Sequence, residues 1–220
     1  LMPRWYGKKN NLNILPVQGN GQITVRDHHT KEIIYINSFS TLFQEWLTYD
    51  EAKTISKSFE NVFLVPMPKD IVDVTVDLRN NRHEIVTSMT HVIAPNDILI
   101  RHTGFSYVTP YTTLQTAEDT TKCIHARIAT EALFEHEPFK TKRNRFNIIA
   151  VKSVSMDTGT SIPSQGVWKK TVLGSHFDTF YSNRYLTTLN QKNLHDALAG
   201  TPYEHIIVLV NTSEYGGGGI

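Results

Sequence analysis

Strand-like alternation dominates the first hundred residues. Gln22 to Arg26 puts Ile23 and Val25 on one face, and Glu32 to Asn37 returns with Ile33, Ile34, Tyr35 and Ile36. The polar stretch Asp27-His28-His29-Thr30-Lys31 between them predicts a hairpin turn, with the two histidines in solvent. Ser40 or Thr41 can cap a short helix in which Leu42, Phe43, Trp46 and Leu47 fall at near-helical spacing. Phe59 to Val65 is apolar and rich in strand formers until Pro66-Met67-Pro68. Ile71, Val72, Val74, Val76 and Leu78 predict another strand, Asn80-Asn81 a turn, Glu84 to Ile93 a return strand, and Ile98 to Ile100 a short further candidate. Roughly six strands at this spacing, with few helices, predict a small antiparallel β-sandwich over residues 1–101.

The texture then changes. His102 to Thr113 is rich in Thr, Tyr, Pro and Gly, and residues 102–115 read as a linker. Thr116 to Phe134 predicts a helix, Asn147 to Val151 a strand, Thr158 to Thr171 a polar loop, and Leu186 to Leu198 a second helix stopped at Gly200. His205 to Val210 is nearly all apolar, as a buried strand would be. Helix, strand, helix, strand over residues 116–220 is an α/β pattern, so the fold class expected for the whole chain is α+β in two domains.

Composition narrows the function. A net charge of +1 over 220 residues argues against electrostatically driven nucleic-acid binding. The one basic cluster, Lys140, Lys142, Arg143 and Arg145, reads as a solvated loop between helix and strand. The longest aliphatic run, Ile206 to Val210, is far short of the ~20 residues that span a bilayer. A single cysteine, Cys123, rules out an intrachain disulfide and a multi-cysteine zinc site.

Two segments carry candidate chemistry. Gly174 to Tyr185 (GSHFDTFYSNRY) packs Ser175, His176, Asp178, Tyr181 and Arg184 into one stretch. Members of a Ser-His-Asp triad are brought together by the fold and rarely sit side by side on one strand, which disfavours a serine hydrolase built on Ser175. His176 and Asp178 can contact substrate or satisfy loop backbone. Tyr181 and Arg184 are strong donors for a peptide carbonyl or carboxylate. The second segment runs from Ile206 through Asn211 to Tyr215 and the glycines Gly216 to Gly219. It lacks the Lys-Ser/Thr of a phosphate-binding loop, whereas glycines also let another backbone approach, so an extended peptide could pair here by strand addition. None of the ten histidines has a partner at i+4, and no HExxH occurs.

These residues carry a resemblance. Gly174 to Leu186 (GSHFDTFYSNRYL), His195 to Gly200 and Pro202 to Ile207 (HDALAGTPYEHII), and Tyr215 to Ile220 (YGGGGI) resemble the catalytic domain of the IgA-specific metalloendopeptidase family. Phe134 to Phe139 (FEHEPF) and Arg145 to Asn147 (RFN) fit its preceding helix and strand. Ser38 to Trp46 and Phe59 to Pro68 resemble its β-rich N-terminal domain. The resemblance implies a zincin-like fold for residues 116–220 and a secreted or cell-surface bacterial peptidase acting on a protein or glycoprotein. It also implies zinc in the full-length protein, held by an HExxH helix lying beyond Ile220, where zinc polarises the scissile carbonyl and activates water while the Glu takes a proton. This chain is accordingly expected to be a fragment that binds no zinc and has no catalytic residue of its own. Its expected substrate contacts are His176, Asp178, Tyr181, Arg184, Asn211, Tyr215, Gly217 and Gly218. One departure stands out. Family members have an apolar strand and an acidic-Gly-Tyr-Thr turn where this chain has Thr103 to Thr113 (TGFSYVTPYTT), which implies local divergence or a deletion. The competing reading is a non-catalytic β-sandwich module that recognises a host glycoprotein or glycan, with Trp5, Tyr6, Trp46 and Tyr49 as candidate contacts and Trp46 the most core-like of them.

Overall fold

The computed structural model describes residue 5 and residues 7–15, 17–102, 109–114 and 124–218. Strands β1 (Gly21–Asp27) and β2 (Ile33–Phe39) form the hairpin that the alternation predicts. Its turn closes where Asp27 Oδ1 accepts from the backbone N–H of His29 and Thr30, at 2.9 and 2.7 Å. Strand β3 (Val72–Arg79) pairs antiparallel with β1, and β4 (Ile85–Ile93) with β3, giving the order β2-β1-β3-β4. Asn80 shapes the β3–β4 turn by accepting at Oδ1 from the N–H of Arg82 and Glu84. His28 is more than a solvated turn residue. Its Nδ1 lies 2.6 Å from Asp73 and the Lys31 ammonium 2.7 Å from the same carboxylate, tying the hairpin turn to β3. The Lys31 contact first and His28 second hold the Asp73 carboxyl below its ordinary pKa.

The register explains the core. Ile23 sits opposite Val76, and Val25 lies between Tyr35 on one side and Val74 on the other. Ile23, Val25, Tyr35 and Val72 are buried together. The cover over this face corrects the sandwich expectation. Among the described residues the N-terminal region has one sheet, not two. Phe59 to Val65, expected as a strand, makes no ladder and instead lays Phe63 and Val65 across the sheet, joined by Trp5 and Leu12. Pro66 and Pro68 follow directly, and a chain lacking those N–H groups is poorly suited to extending a ladder. With no second sheet above it, β4 stays exposed along its length except at Ile93. Ile98 to Ile100 is likewise no strand, and Ile98 and Leu99 face solvent.

Helix α1 (Leu42–Trp46) starts at Thr41, whose Oγ1 accepts from Phe43 N at 3.2 Å. It opens the second core. Leu42, Trp46 and Phe180 are buried together, with Phe43, Tyr49, Phe59 and Tyr185 packed around them. Phe180 comes from the distant Gly174–Tyr185 segment. Its ring meets Tyr49 at 5.2 Å, Phe59 at 6.1 Å and Tyr185 at 5.9 Å. This aromatic group joins the sheet region to the C-terminal region.

Three elements of the C-terminal region differ from expectation. A short strand β5 (Tyr111–Thr113) lies inside the expected linker and pairs antiparallel with β6 (Ile149–Val151). The rest of the Thr103–Thr113 departure, residues 103–108, lies outside the described residues, as do residues 116–123 of the expected first helix. Helix α2 (Ile124–Phe134) covers the remainder of that helix. The second expected helix is shorter: α3 spans Gln191–Ala197, because Thr187 instead bridges to His176 in extended pairing and Thr188 Oγ1 accepts from Asn190 N. Gly200, in a left-handed conformation at φ 77°, ends the turn after α3. Finally, Ile206 to Val210 makes no ladder and alternates between half-buried and exposed, rather than forming a buried strand. The basic cluster is a turn in which Arg143 pairs with Glu131 at 2.6 Å and stacks over the Phe134 ring.

The aromatic junction yields a test. Phe180→Ala removes a buried ring and is expected to cost about 3 kcal/mol in urea unfolding. A loss under about 1 kcal/mol, the size of an ordinary surface change, would show that the two regions do not depend on this contact.

Candidate functional site

The Gly174–Tyr185 motif folds as a tight polar loop braced on both sides. His176 bridges parallel to Ser161 and antiparallel to Thr187. Ser175 is buried, with Thr160 Oγ1 donating to its carbonyl at 2.7 Å and lying 3.0 Å from its hydroxyl. His176 Nδ1 lies 2.7 Å from the Phe177 carbonyl, and Asp178 Oδ2 accepts from Ser164 N at 2.7 Å. Ser175, His176 and Asp178 therefore each serve the loop's own backbone or a neighbouring hydroxyl, and no nucleophile–base–carboxylate chain forms. Three residues of this loop take left-handed backbone angles without being glycine: Asp178 at φ 62°, Phe180 at φ 50° and Tyr181 at φ 64°. Such angles cost free energy and persist only where packing over-determines them. The burial of Phe177 and Phe180 on either side supplies that packing.

The loop's far end builds a cleft of about 540 Å³ with the glycine run. Gly217 bridges parallel to Tyr185; its N–H donates to the Arg184 carbonyl at 3.1 Å, and its carbonyl accepts from Leu186 N at 3.3 Å. A Cβ on Gly216 would collide with the Phe177 ring and the Arg184 carbonyl, and one on Gly218 with the Tyr185 ring and the Leu186 carbonyl. Both positions thus require glycine for close packing. A Cβ on Gly217 would meet nothing, since that position faces open space. The Arg184 guanidinium lies 4.7 Å over the Tyr215 ring. Across the cleft, α1 and its following turn supply Glu45 and Tyr49, and the Tyr185 hydroxyl donates to Glu45 Oε2 at 2.5 Å.

The cleft gathers Arg184, Tyr215 and Gly217 of the expected contacts, with Gly218 packed beneath Tyr185. Tyr181 is 82% exposed on the adjoining turn. His176 and Asp178 lie in the bracing described above. Asn211 lies elsewhere: its side-chain amide donates to Thr158 Oγ1 at 3.1 Å, and it lines a separate cavity of about 770 Å³ between Ile149–Gly159 and His205–Asn211. Glu45, Tyr49 and Ser182 also line the cleft, and the sequence did not group them with it. Ser182 and Tyr185 sit inside the motif already singled out, whereas nothing local marks Glu45. Trp46 is core, and Trp5 packs edge-on against Tyr35 with its indole N–H donating to the Lys8 carbonyl, so neither offers a binding face. Tyr6 lies outside the described residues.

Two comparisons with known proteins bear on this arrangement. A model of the Peptidase M64 N-terminus matches residues 1–90, and a model of IgA Peptidase M64 matches residues 109–220. The chain belongs to the peptidase M64 family. No curated protein matches it. The aromatic junction and the cleft above it therefore lie where the two matched regions meet: Glu45, Tyr49 and Phe59 fall in the first, and Phe180 to Gly217 in the second. As members of a metallopeptidase family, such chains imply a metal ion and a protein substrate. The described residues do not fit a metal site. Among them, no three His, Cys, Asp or Glu side chains come together to hold an ion, and the sequence contains no HExxH. Among the described residues no helix is long and apolar enough to cross a membrane.

One titratable pair near the junction has a defined state. His195 on α3 lies with Nδ1 2.7 Å from the Tyr203 hydroxyl. Burial pushes the Tyr203 phenol up to about 12, so it stays protonated and can donate to a neutral imidazole. Burial also pushes the His195 pKa below 6.5, against a smaller opposing pull from Asp196. A folded-state pKa below the unfolded value means that the unfolded chain takes up protons first as pH falls. Stability is therefore fully present above pH 6.5 and falls as pH drops below it toward the folded pKa. Urea midpoints measured across that range are expected to fall more steeply for the wild type than for His195→Gln. Equal slopes would show that His195 is not held neutral by its surroundings.

Proposed function

We propose that the chain forms the scaffold and a substrate-binding wall of a secreted bacterial zinc metalloendopeptidase that hydrolyses peptide bonds in proteins. In this reading zinc and the general base come from sequence other than these 220 residues, which themselves bind peptide without cutting it. The observation that carries it is the cleft at the meeting of the two family regions, walled by the Gly216–Gly217 backbone on one side and by α1 on the other. The Gly217 N–H and C=O are taken by Arg184 and Leu186, and the space in front of this glycine leaves room for an extended peptide to lie against the segment with no side chain in the way. Arg184, Tyr215 and Gly217 are the contacts this reading favours, with Tyr181 and Gly218 next to them. His176 and Asp178 hold the loop that presents them. Asn211 would act at the neighbouring cavity, further along the same wall.

Zinc content and casein hydrolysis test this reading. The 220-residue chain is expected to hold no stoichiometric zinc and to leave casein intact. A protein that continues this sequence through an HExxH helix is expected to bind one zinc and to lose its activity to a chelator. Hydrolysis by the 220 residues alone would overturn the reading, as would a zinc-loaded longer protein that cleaves no protein substrate.

A further inference from the structure

Among the described residues no carboxylate neutralises the charge of Arg184, and a second arginine in the same molecule shows what such a partner looks like. The Arg143 guanidinium lies 4.7 Å over the Phe134 ring, and Glu131 closes it from the front with two hydrogen bonds of 2.7 and 2.6 Å. The Arg184 guanidinium lies 4.7 Å over the Tyr215 ring in the same manner. Among the described residues, no carboxylate pairs with it. Glu45, the acidic residue lining the same cleft, is held instead by the Tyr185 hydroxyl at 2.5 Å. Arg184 thus has the aromatic support without the carboxylate, and the cleft of about 540 Å³ opens in front of it.

We propose that Arg184, oriented by Tyr215, takes the side-chain carboxylate of an Asp or Glu in an extended peptide bound along Gly217. The inference rests on the peptide-binding reading of the cleft and adds to it a preference for an acidic residue. The chemistry suits the geometry. A guanidinium presents its donors as a planar fork that matches a carboxylate in bidentate fashion, and stacking on a ring fixes the plane of that fork before the ligand arrives. Glu45 on the opposite wall repels a second carboxylate, so a single acidic residue among neutral neighbours is favoured over an acidic run. Ser182 Oγ, also in the cleft lining, can donate to the same carboxylate.

Fluorescence anisotropy with a labelled seven-residue peptide tests this directly. One version carries a central Glu and the other a Gln, against the wild-type chain, Arg184→Gln, Arg184→Lys and Tyr215→Leu. The wild type is expected to prefer the Glu peptide roughly fivefold at low salt, with the preference shrinking as salt rises. Arg184→Gln should bring the Glu-to-Gln affinity ratio to about one, while Arg184→Lys and Tyr215→Leu should keep only part of the preference. Because Arg184 and Tyr215 are exposed, unchanged unfolding midpoints are expected for all three variants. Equal binding of both peptides by the wild type, or a preference that survives Arg184→Gln, overturns the acidic assignment while leaving the peptide cleft standing. Failure of the wild type to bind either peptide overturns the cleft itself. Displacement by sialyllactose at lower concentration than by the unlabelled Glu peptide would show that the carboxylate belongs to a glycan, and would also overturn the proposal.

Discussion

The insertion of Phe180 between α1 and the Phe59 segment is the contact on which the arrangement of the two family regions depends. A single ring from the C-terminal region fills a pocket made by Trp46, Tyr49 and Phe59 of the N-terminal region. The backbone that delivers it is costly, since Asp178, Phe180 and Tyr181 all take left-handed angles. That cost is offset by burial, because an aromatic side chain of this size removes a large apolar area from water. Among the described residues, the side-chain hydrogen bonds across the same boundary are exposed: Tyr185 to Glu45, and Lys192 N to Glu60. They orient the regions, and the aromatic packing holds them.

The cleft follows from that junction. Tyr185 belongs to both, since its ring packs on Phe180 and Gly218 while its hydroxyl reaches Glu45. Gly216 and Gly218 press against Phe177 and Tyr185, which turns Gly217 outward, and the pairing of Gly217 with Arg184 and Leu186 fixes where Arg184 and Tyr215 stand. Substitution at the junction would therefore move the cleft walls as well as weaken the fold. The loop that holds Phe180 is itself secured by Ser175, His176 and Asp178. Their hydrogen-bonding capacity is taken up by Thr160, the Phe177 carbonyl and Ser164 N.

Much of this was readable where the signal was local. The β1–β2 hairpin, the Asn80-Asn81 turn and the Thr41 cap follow from alternation and turn chemistry, because neighbouring residues decide them. The long GSHFDTFYSNRYL and YGGGGI motifs led to the family, and Arg184, Tyr215 and Gly217 from them line one cleft. The sandwich was not readable correctly, because an apolar segment such as Phe59 to Val65 can cover a sheet without becoming a strand. Its hydrophobicity fixes burial and leaves pairing undecided. Leu186 to Asn190 has a helical apolar spacing that lost to extended pairing of Thr187 with His176, a tertiary override of local pattern. Glu45 was beyond reach for a simpler reason: the contact that brings it to the cleft joins residues 140 positions apart.

The central claim is that a peptide binds at the meeting of the two regions, touching both. Hydrogen–deuterium exchange with and without a saturating unstructured peptide measures this most directly. Added protection is expected in residues 43–49, 182–186 and 215–217 together, since these share the cleft. Protection confined to residues 149–159 and 205–211 would place the peptide in the other cavity and contradict the claim, and so would peptide binding that protects only one of the two regions.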